Sequence, residues 1–115
     1  MKTKTIRDLV PTDVPDILEM YREAFRGYPW FEQLSPETVK ERWTSNSLQP
    51  DFRCIVVSLD DKQVAGAAWW NSMDQDLLRQ ERGEELATFA TENFPGWPLI
   101  WEREVMVFPA FQGKG

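Results

Sequence analysis

Two acidic residues near the end of the chain are the side chains best suited to accepting a proton. The sequence contains no His, so a carboxylate is the group left for acid–base chemistry near neutral pH. Glu102 and Glu104 are separated only by Arg103. Residues two apart on a strand share a face and lie roughly 6.6 Å apart along it, which puts both glutamates on one face together with Ile100 and Met106. The alternative is that this part of the strand faces water, with Arg103 as a surface ion partner.

The last residues, Pro109–Gly115, form a glycine-containing peptide directly after a predicted strand. Successive backbone N–H groups in such a turn make a concave anion site, and Gly113 and Gly115 allow close approach without Cβ collisions. Lys114 adds a positive charge, and distant charges of this net −6 protein are largely screened beyond a Debye length of about 8 Å. The alternative is a solvated tail, since the sequence contains no GxxxxGK[ST] phosphate loop.

Length and composition exclude several classes of protein. A chain of 115 residues predicts a single domain. No run approaches the ~18 apolar residues of a membrane span, and a net charge of −6 argues against nucleic acid or an anionic membrane as a partner. One Cys excludes an internal disulfide, and without His we expect no metal site. The first ten residues lack the apolar core of a secretory signal, which favours a cytoplasmic location.

Hydrophobic periodicity predicts the elements that position these residues. The clearest helix runs from Val14 to Phe25, where apolar residues recur at i, i+3, i+4, i+7 and i+11 and so share one face. Ser35-Pro36-Glu37 is typical of a second helix start. Gly66, in an apolar run that suggests a central strand covered on both faces, indicates a bulge or the close approach of another segment. The predicted elements are a strand at 3–10, helices at 14–25 and 36–45, a hairpin of strands at 53–59 and 63–70, a broken helical region at 73–94, and a strand at 99–108.

These elements predict an α/β fold of the α+β type. We expect a mainly antiparallel sheet of about four strands, two N-terminal helices and a helical insertion before the last strand. The single cysteine, Cys54, falls in the second strand, where we expect a buried structural thiol because no His is present to activate it.

The chain resembles the GNAT superfamily of N-acetyltransferases along essentially its whole length. Ile6-Arg7-Asp8 and the helix after it are similar to the family's first strand and helix. The more specific match is Glu104–Gly115, which resembles the end of the family's fourth strand and its acetyl-CoA pyrophosphate loop. That loop has Gln or Arg, two residues, Gly, one residue, then Gly or Ala; Gln112 and Gly115 occupy its first two fixed places. The resemblance implies a partial GNAT-like fold, with residues 1–115 as one acetyltransferase domain truncated at its C-terminal side.

The resemblance also implies roles for particular residues. An acidic residue on the family's fourth strand often serves as or positions the base, which implies that Glu104 or Glu102 is catalytic. The strand end pairs with the pantetheine arm and the loop holds the pyrophosphate; the implied acetyl-CoA-binding residues are Met106, Val107, Phe108, Gln112, Gly113, Lys114 and Gly115. The loop after the first helix lines the acceptor site in many relatives, which implies substrate contacts for Tyr28, Trp30 and Phe31. The alternative for these aromatic residues is a hydrophobic plug between the first two helices.

The implied function is transfer of an acetyl group from acetyl-CoA to a primary amine of a small molecule or peptide. Relatives commonly use a Tyr on a later segment as the general acid, and neither Tyr21 nor Tyr28 matches that place. We expect this chain alone to be weakly active or inactive, and to form a homo-oligomer through a sheet face or edge that lacks the family's usual cover. The alternative function is a non-catalytic dimerisation or protein-binding module built on the front half of the fold.

Overall fold

The computed structural model of the protein describes residues 3–27, 29–60, 63–94 and 96–113. Within them, the sheet contains the strands β1 (Lys4–Asp8), β2 (Arg53–Leu59), β3 (Gln63–Met73) and β4 (Leu99–Val107). The strands lie in the order β1-β2-β3-β4, and every neighbouring pair is antiparallel. The prediction of an α+β fold with a mainly antiparallel sheet of about four strands is therefore confirmed.

Local sequence explains where the helices begin and end. The helices are α1 (Val14–Ala24), α2 (Pro36–Ser47), α3 (Gln75–Arg82) and α4 (Glu84–Asn93). The Ser35 hydroxyl accepts a hydrogen bond from the Thr38 backbone N–H at 3.1 Å and so caps α2, as the sequence predicts. Gly83 adopts a φ of +96°, a conformation that favours glycine, and it divides the predicted helical region into α3 and α4. None of the described helices combines the length and the apolar character that crossing a membrane requires.

The main hydrophobic core lies between α1, α2 and one face of the sheet. Ile17 and Tyr21 of the predicted apolar stripe on α1 are buried in it. Trp69 of β3 is fully buried, and its indole N–H donates to the Asn46 side-chain oxygen at 3.0 Å. Its ring meets the Trp43 ring edge-on at a centroid distance of 5.1 Å. Trp69 therefore contributes a large apolar area while its one polar atom keeps a partner.

A second, smaller core lies under α3 and α4, the helical insertion between β3 and β4. Its buried members are Met73, Leu78, Ala87 and Ala90, with Leu99 and Trp101 packed against them. Arg103 connects this insertion to the sheet: its Nε donates to the buried Asn71 side-chain oxygen, and its two Nη atoms lie 2.9 and 3.0 Å from the Glu81 carboxylate oxygens of α3. The insertion is therefore fixed to β4 by a bidentate ion pair as well as by apolar contact.

Two irregularities interrupt the pairing of the strands. Between β2 and β3 the register shifts so that Ala65 is left without a partner, next to Gly66. A Cβ atom on Gly66 would lie 3.0 Å from the backbone oxygen of Met106 on β4, so both sequence-based interpretations of this glycine hold, the bulge and the close approach. Between β3 and β4 the register shifts again, and the residue left over is Arg103.

The sheet face opposite α1 and α2 is apolar and open. Ile6, Val57, Gly66 and Val107 are paired in one row across the four strands, and paired residues share a face. No helix of the described residues covers this row, and Ile6 is 71% exposed and Val107 37% exposed. The sequence predicts that β3 is covered on both faces; the structure covers one, and Trp70 on the other face is only half-buried.

Candidate active site

The half-buried carboxylate of Glu104 is the centre of the candidate site. It lies on β4 directly opposite Trp69 of β3, so it points toward the face that α1 covers. Its Oε1 accepts a hydrogen bond from the Tyr21 hydroxyl of α1 at 2.9 Å. Burial raises the pKa of Glu104 above its ordinary value, although the Tyr21 hydroxyl and the Arg42 guanidinium both act to lower it. A carboxylate of raised pKa is a stronger proton acceptor than an exposed one.

Tyr21 and Arg42 support Glu104 from the two helices of the main core. Burial is the main cause that raises the pKa of Tyr21 to about 12, so its hydroxyl remains a hydrogen-bond donor at neutral pH. Arg42 of α2 donates to the Tyr21 hydroxyl oxygen at 3.4 Å, and its Nη1 lies 3.6 Å from a carboxylate oxygen of Glu32. The acidic and basic groups thus alternate from Glu32 through Arg42 and Tyr21 to Glu104. Oε2 of Glu104 has no donor among the described residues and is free to accept a proton.

Glu102, the second predicted catalytic residue, is separated from Glu104 by the β-bulge. Glu104 pairs with Trp69 and Glu102 pairs with Trp70, and consecutive residues of β3 point to opposite faces. The expectation that the two glutamates share a face is therefore wrong, because Arg103 is an extra residue that interrupts the alternation. Glu102 is exposed, as the alternative interpretation of this segment expects, whereas Glu104 is not.

The predicted substrate loop reaches Glu104 through a series of aromatic contacts. Trp30 meets the Phe25 ring edge-on at 5.1 Å, and Phe25 lies 5.3 Å from the Tyr21 ring that carries the hydroxyl on Glu104. Trp30 is 55% exposed and Phe31 66% exposed, so neither is a buried plug between the helices. Tyr28, the third predicted residue of this loop, lies outside the described residues.

The predicted cofactor-binding strand end is partly open. The Phe108 N–H donates to the Ala65 backbone oxygen at 2.9 Å, so by alternation the backbone groups of Met106 also face β3, and those of Val107 face the free edge of β4. The Val107 carbonyl accepts a hydrogen bond from the Gln112 side-chain amide at 3.0 Å. Of the backbone groups expected to pair with the pantetheine arm, those of Met106 and Phe108 therefore face β3. The N–H of Val107 faces the free edge of β4.

The peptide after β4 is not a regular helix over its described part. A single 3-10 turn at Pro109–Phe111 is followed by extended backbone at Gln112 and by Gly113 at a φ of +74°. This positive φ is a conformation that favours glycine at position 113. Lys114 and Gly115 lie outside the described residues.

Metal-ligating side chains and the single cysteine were the other candidates for a functional site. Among the described residues no three His, Cys, Asp or Glu side chains come together as a metal site. Cys54 is buried in β2, and burial raises the pKa of its thiol to about 12, so it is a structural rather than a nucleophilic cysteine.

The comparisons with known proteins agree with this architecture. One solved structure superposes on the whole of this chain with a TM-score of 0.63 at 15% sequence identity, and it is described as a GCN5-related glucosamine N-acetyltransferase region in a fungal multi-domain GH3 β-N-acetylglucosaminidase. The fold is GNAT-like. The chain spans 11% of the length of that multi-domain protein. No protein-family model and no curated protein matches the chain. The GNAT-like fold expected from the sequence is therefore confirmed, and the identity is too low for the likeness to show more than fold.

Sequence reasoning missed the contact between Tyr21 and Glu104. Tyr21 stands on the apolar stripe of α1, and the sequence identifies it only as a residue of the core. A buried tyrosine hydroxyl needs a hydrogen-bond partner, which is the one signal that could have indicated an acceptor opposite α1. Arg42 is on α2, where the apolar periodicity of the sequence is weak, and nothing in the spacing of its neighbours points to Tyr21.

Proposed function

We propose that this chain belongs to an N-acetyltransferase that transfers the acetyl group of acetyl-CoA to a primary amine of a small molecule or peptide. The observation that carries the proposal is the half-buried Glu104, hydrogen-bonded to Tyr21 in a GNAT-like fold. Glu104 is the catalytic base, and Tyr21 is a positioning residue. The single buried thiol, Cys54, fits a reducing compartment, and we propose the cytoplasm.

The base is needed because the acceptor amine is protonated in solution. An alkylamine with a pKa near 10.4 is neutral only about once in a thousand molecules at neutral pH. Glu104 accepts the amine proton on the oxygen that Tyr21 leaves free, and the neutral nitrogen attacks the thioester carbonyl. The new C–N bond forms, the tetrahedral intermediate collapses and the C–S bond breaks. The nitrogen loses its second proton, relayed through water, to the departing CoA thiolate, which leaves as the free thiol. Glu104 returns the first proton to solvent, so the net products are the amide, CoA and one proton.

Acetyl-CoA is proposed to bind along the free edge of β4 and the peptide after it. The outward backbone of Val107, the hydrogen bond from Gln112 to Val107 and the positive φ of Gly113 support this placement. In this proposal the pantetheine arm pairs with the strand edge and the pyrophosphate binds the turn. The proposed residues are Met106, Val107, Phe108, Gln112, Gly113, Lys114 and Gly115, and Trp30, Phe31 and Tyr28 contact the acceptor.

A comparison of two glutamate variants tests the proposed base. Release of free CoA thiol is measured with acetyl-CoA and a panel containing an alkylamine, an amino sugar and a lysine peptide, while calorimetry measures acetyl-CoA binding. Glu104→Gln is expected to lower kcat/KM by about 10²–10⁴-fold and to leave acetyl-CoA binding intact, because a general base contributes about that factor. Glu102→Gln, the matched control on the same strand, should stay within a few-fold. Absence of acetyl-CoA binding in the unchanged protein, or full activity in Glu104→Gln, would refute the proposal.

The open sheet face supports a second proposal, that two copies associate through it. Ile100 is 75% exposed and Val105 57% exposed, and both lie on the face that the described helices leave open. A patch of this kind is stabilised by burial against a like surface. Light scattering at micromolar concentration is expected to give a dimer, and Val105→Glu a monomer. Leu48→Glu, at an exposed apolar residue just after α2, is the control and should remain dimeric; a monomeric unchanged protein contradicts the proposal.

A non-catalytic module remains the alternative function. The exposed apolar face favours it, because an assembly role needs that face and does not need Glu104. A stable dimer that fails to bind acetyl-CoA would favour the module, whereas saturable binding that depends on the pyrophosphate would favour the enzyme.

A further inference from the structure

An open cavity lies where the end of α1 meets the loop that leads into α2. Its volume is about 350 Å³, and it is lined by Arg22, Arg26, Gln33, Leu34 and Ser35. The Arg22 Nε donates to the Leu34 backbone oxygen at 3.0 Å, which fixes the guanidinium at the wall of the cavity and leaves its Nη groups for other acceptors. The lining contains two positive side chains and no carboxylate.

The two arginines of this cavity differ from the other arginines of the protein. Six arginines contact a carboxylate or an aromatic ring: Arg7, Arg42, Arg53, Arg79 and Arg103 form ion pairs, and Arg82 lies over the Trp101 ring. Within the described part of the chain, Arg22 and Arg26 have neither kind of partner. In a protein of net charge −6, two uncompensated guanidinium groups that line one cavity create a local positive site.

We infer that this cavity binds an anionic group, a carboxylate or a phosphate, of a small molecule. The planar guanidinium fork matches both groups because it can donate two parallel N–H bonds to two oxygens. The Gln33 amide adds a further donor, and the exposed Ser35 hydroxyl accepts from the Thr38 N–H while it donates to the Thr38 hydroxyl. A volume of about 350 Å³ is within the range of small-molecule sites.

The position of the cavity relates it to the candidate active site without depending on it. Arg22 follows Tyr21 on α1, and Arg26 follows Phe25 in the turn directly after α1, so each arginine is the sequence neighbour of a residue of the aromatic series. An acceptor amine that also carries a carboxylate or phosphate is one source of the anion, and the 3′-phosphate of CoA is the other. The proposed anion site depends on Arg22 and Arg26, whereas the acetyltransferase proposal depends on Glu104.

Titration of the protein with inorganic phosphate and with acetate tests the site directly. The side-chain Nε–H signals of Arg22 and Arg26 in NMR spectra are expected to shift saturably in the same titration. Arg26→Gln should weaken phosphate binding about tenfold or more, since it removes one charge-assisted partner, and Arg26→Lys should weaken it less because the charge remains. Lys40→Gln, which removes one positive charge from an exposed residue of α2 that does not line the cavity, is the matched control and should leave the affinity unchanged.

The outcomes separate this inference from the proposed function. Shifts that do not saturate, or an equal loss of affinity in Lys40→Gln and Arg26→Gln, would overturn the anion site whatever the activity of the enzyme. Binding of CoA that moves the two arginine signals, with no such effect from dephospho-CoA, would support the site and assign the anion to the cofactor. Binding of phosphate in the presence of saturating CoA would support the site and assign the anion to another small molecule.

Discussion

Removal of the Tyr21 hydroxyl is the sharpest test of how the structure sets the protonation of Glu104. The Tyr21→Phe substitution keeps the ring, which contacts Phe25 and Trp69, and deletes the donor that lies 2.9 Å from Oε1 of Glu104. That hydrogen bond lowers the pKa of Glu104 against the effect of burial. Its loss is therefore expected to raise the pKa further above the ordinary value.

The size of the change follows from the chemistry of the bond. A hydrogen bond to a charged group contributes about 1.5–3 kcal/mol, and one pKa unit corresponds to about 1.4 kcal/mol. Complete loss of this bond would thus favour the protonated form of Glu104 by up to about 1.5–3 kcal/mol and raise its pKa, and a replacing water molecule would reduce the effect. The acid limb of the kcat/KM profile, which requires ionised Glu104, is expected to move to higher pH.

The stability of the fold at neutral pH should fall as the pKa of Glu104 rises. Because burial raises the folded-state pKa of Glu104 above its ordinary value, the contribution of this group to stability is fully present below the ordinary pKa and is lost as the pH rises through the folded-state pKa. Tyr21→Phe raises the folded-state pKa further, so the free energy of unfolding is expected to fall more at neutral pH than in acid. Urea unfolding measured across this range checks the sign.

The assay is an NMR pH titration of the Glu104 side-chain carboxyl carbon in the unchanged protein and in two variants. Glu102→Gln is the control, and it should change the pKa of Glu104 in the opposite direction. The negative charge of Glu102 raises the pKa of Glu104, so removal of this charge should lower that pKa slightly. An unchanged or lowered pKa in Tyr21→Phe would refute the hydrogen-bonded arrangement itself, independently of any catalytic role.

Three further substitutions or reactions test the scaffold. Arg103→Ala is expected to cost about 1–3 kcal/mol in urea unfolding, because it leaves the fully buried Asn71 side-chain oxygen without its donor and removes the ion pair to Glu81; a loss below about 0.5 kcal/mol would contradict this. Gly66→Ala should destabilise by about 1–3 kcal/mol through overpacking, whereas Gly27→Ala, whose added Cβ meets nothing within 4 Å, should change stability little. The Cys54 thiol should react slowly with a disulfide reagent in the folded protein and rapidly after unfolding, since burial raises its pKa to about 12; fast reaction in the folded state would show the thiol to be accessible.

Elements with a strong periodic signal could be predicted from the sequence almost to the residue. The predicted strand at 53–59 coincides with β2, and the apolar stripe from Val14 to Phe25 forms the buried side of α1. These signals are local, because alternation and helical spacing depend only on the residues of one segment. The extension of β3 to Met73 was not predicted, since Asn71 and Ser72 look like the end of a strand until Arg103 supplies a partner for Asn71.

The candidate site could be predicted only in part for a different reason. Glu104 could be named from its residue type and its place in a resembling motif, but its partners come from α1 and α2, distant in sequence. The contact between Tyr21 and Glu104 joins residues 83 positions apart, and no periodic pattern carries information over that separation. The face on which Glu102 lies is set by the bulge at Arg103. One extra residue in a strand moves the side chains beyond it to the opposite face of the sheet.

The bulge at Arg103 explains how two neighbouring residues of β4 contact different helices, Arg103 contacting α3 and Glu104 contacting α1. In a regular strand Arg103 would point away from the face of Glu104, and either the ion pair to Glu81 or the contact with Tyr21 would be lost. The extra residue allows Arg103 to reach Asn71 and α3 while Glu104 stays opposite Trp69 and meets α1. The position of the carboxylate and the attachment of the helical insertion therefore depend on the same irregularity, and a change at Arg103 that restores regular pairing should displace Glu104 from Tyr21.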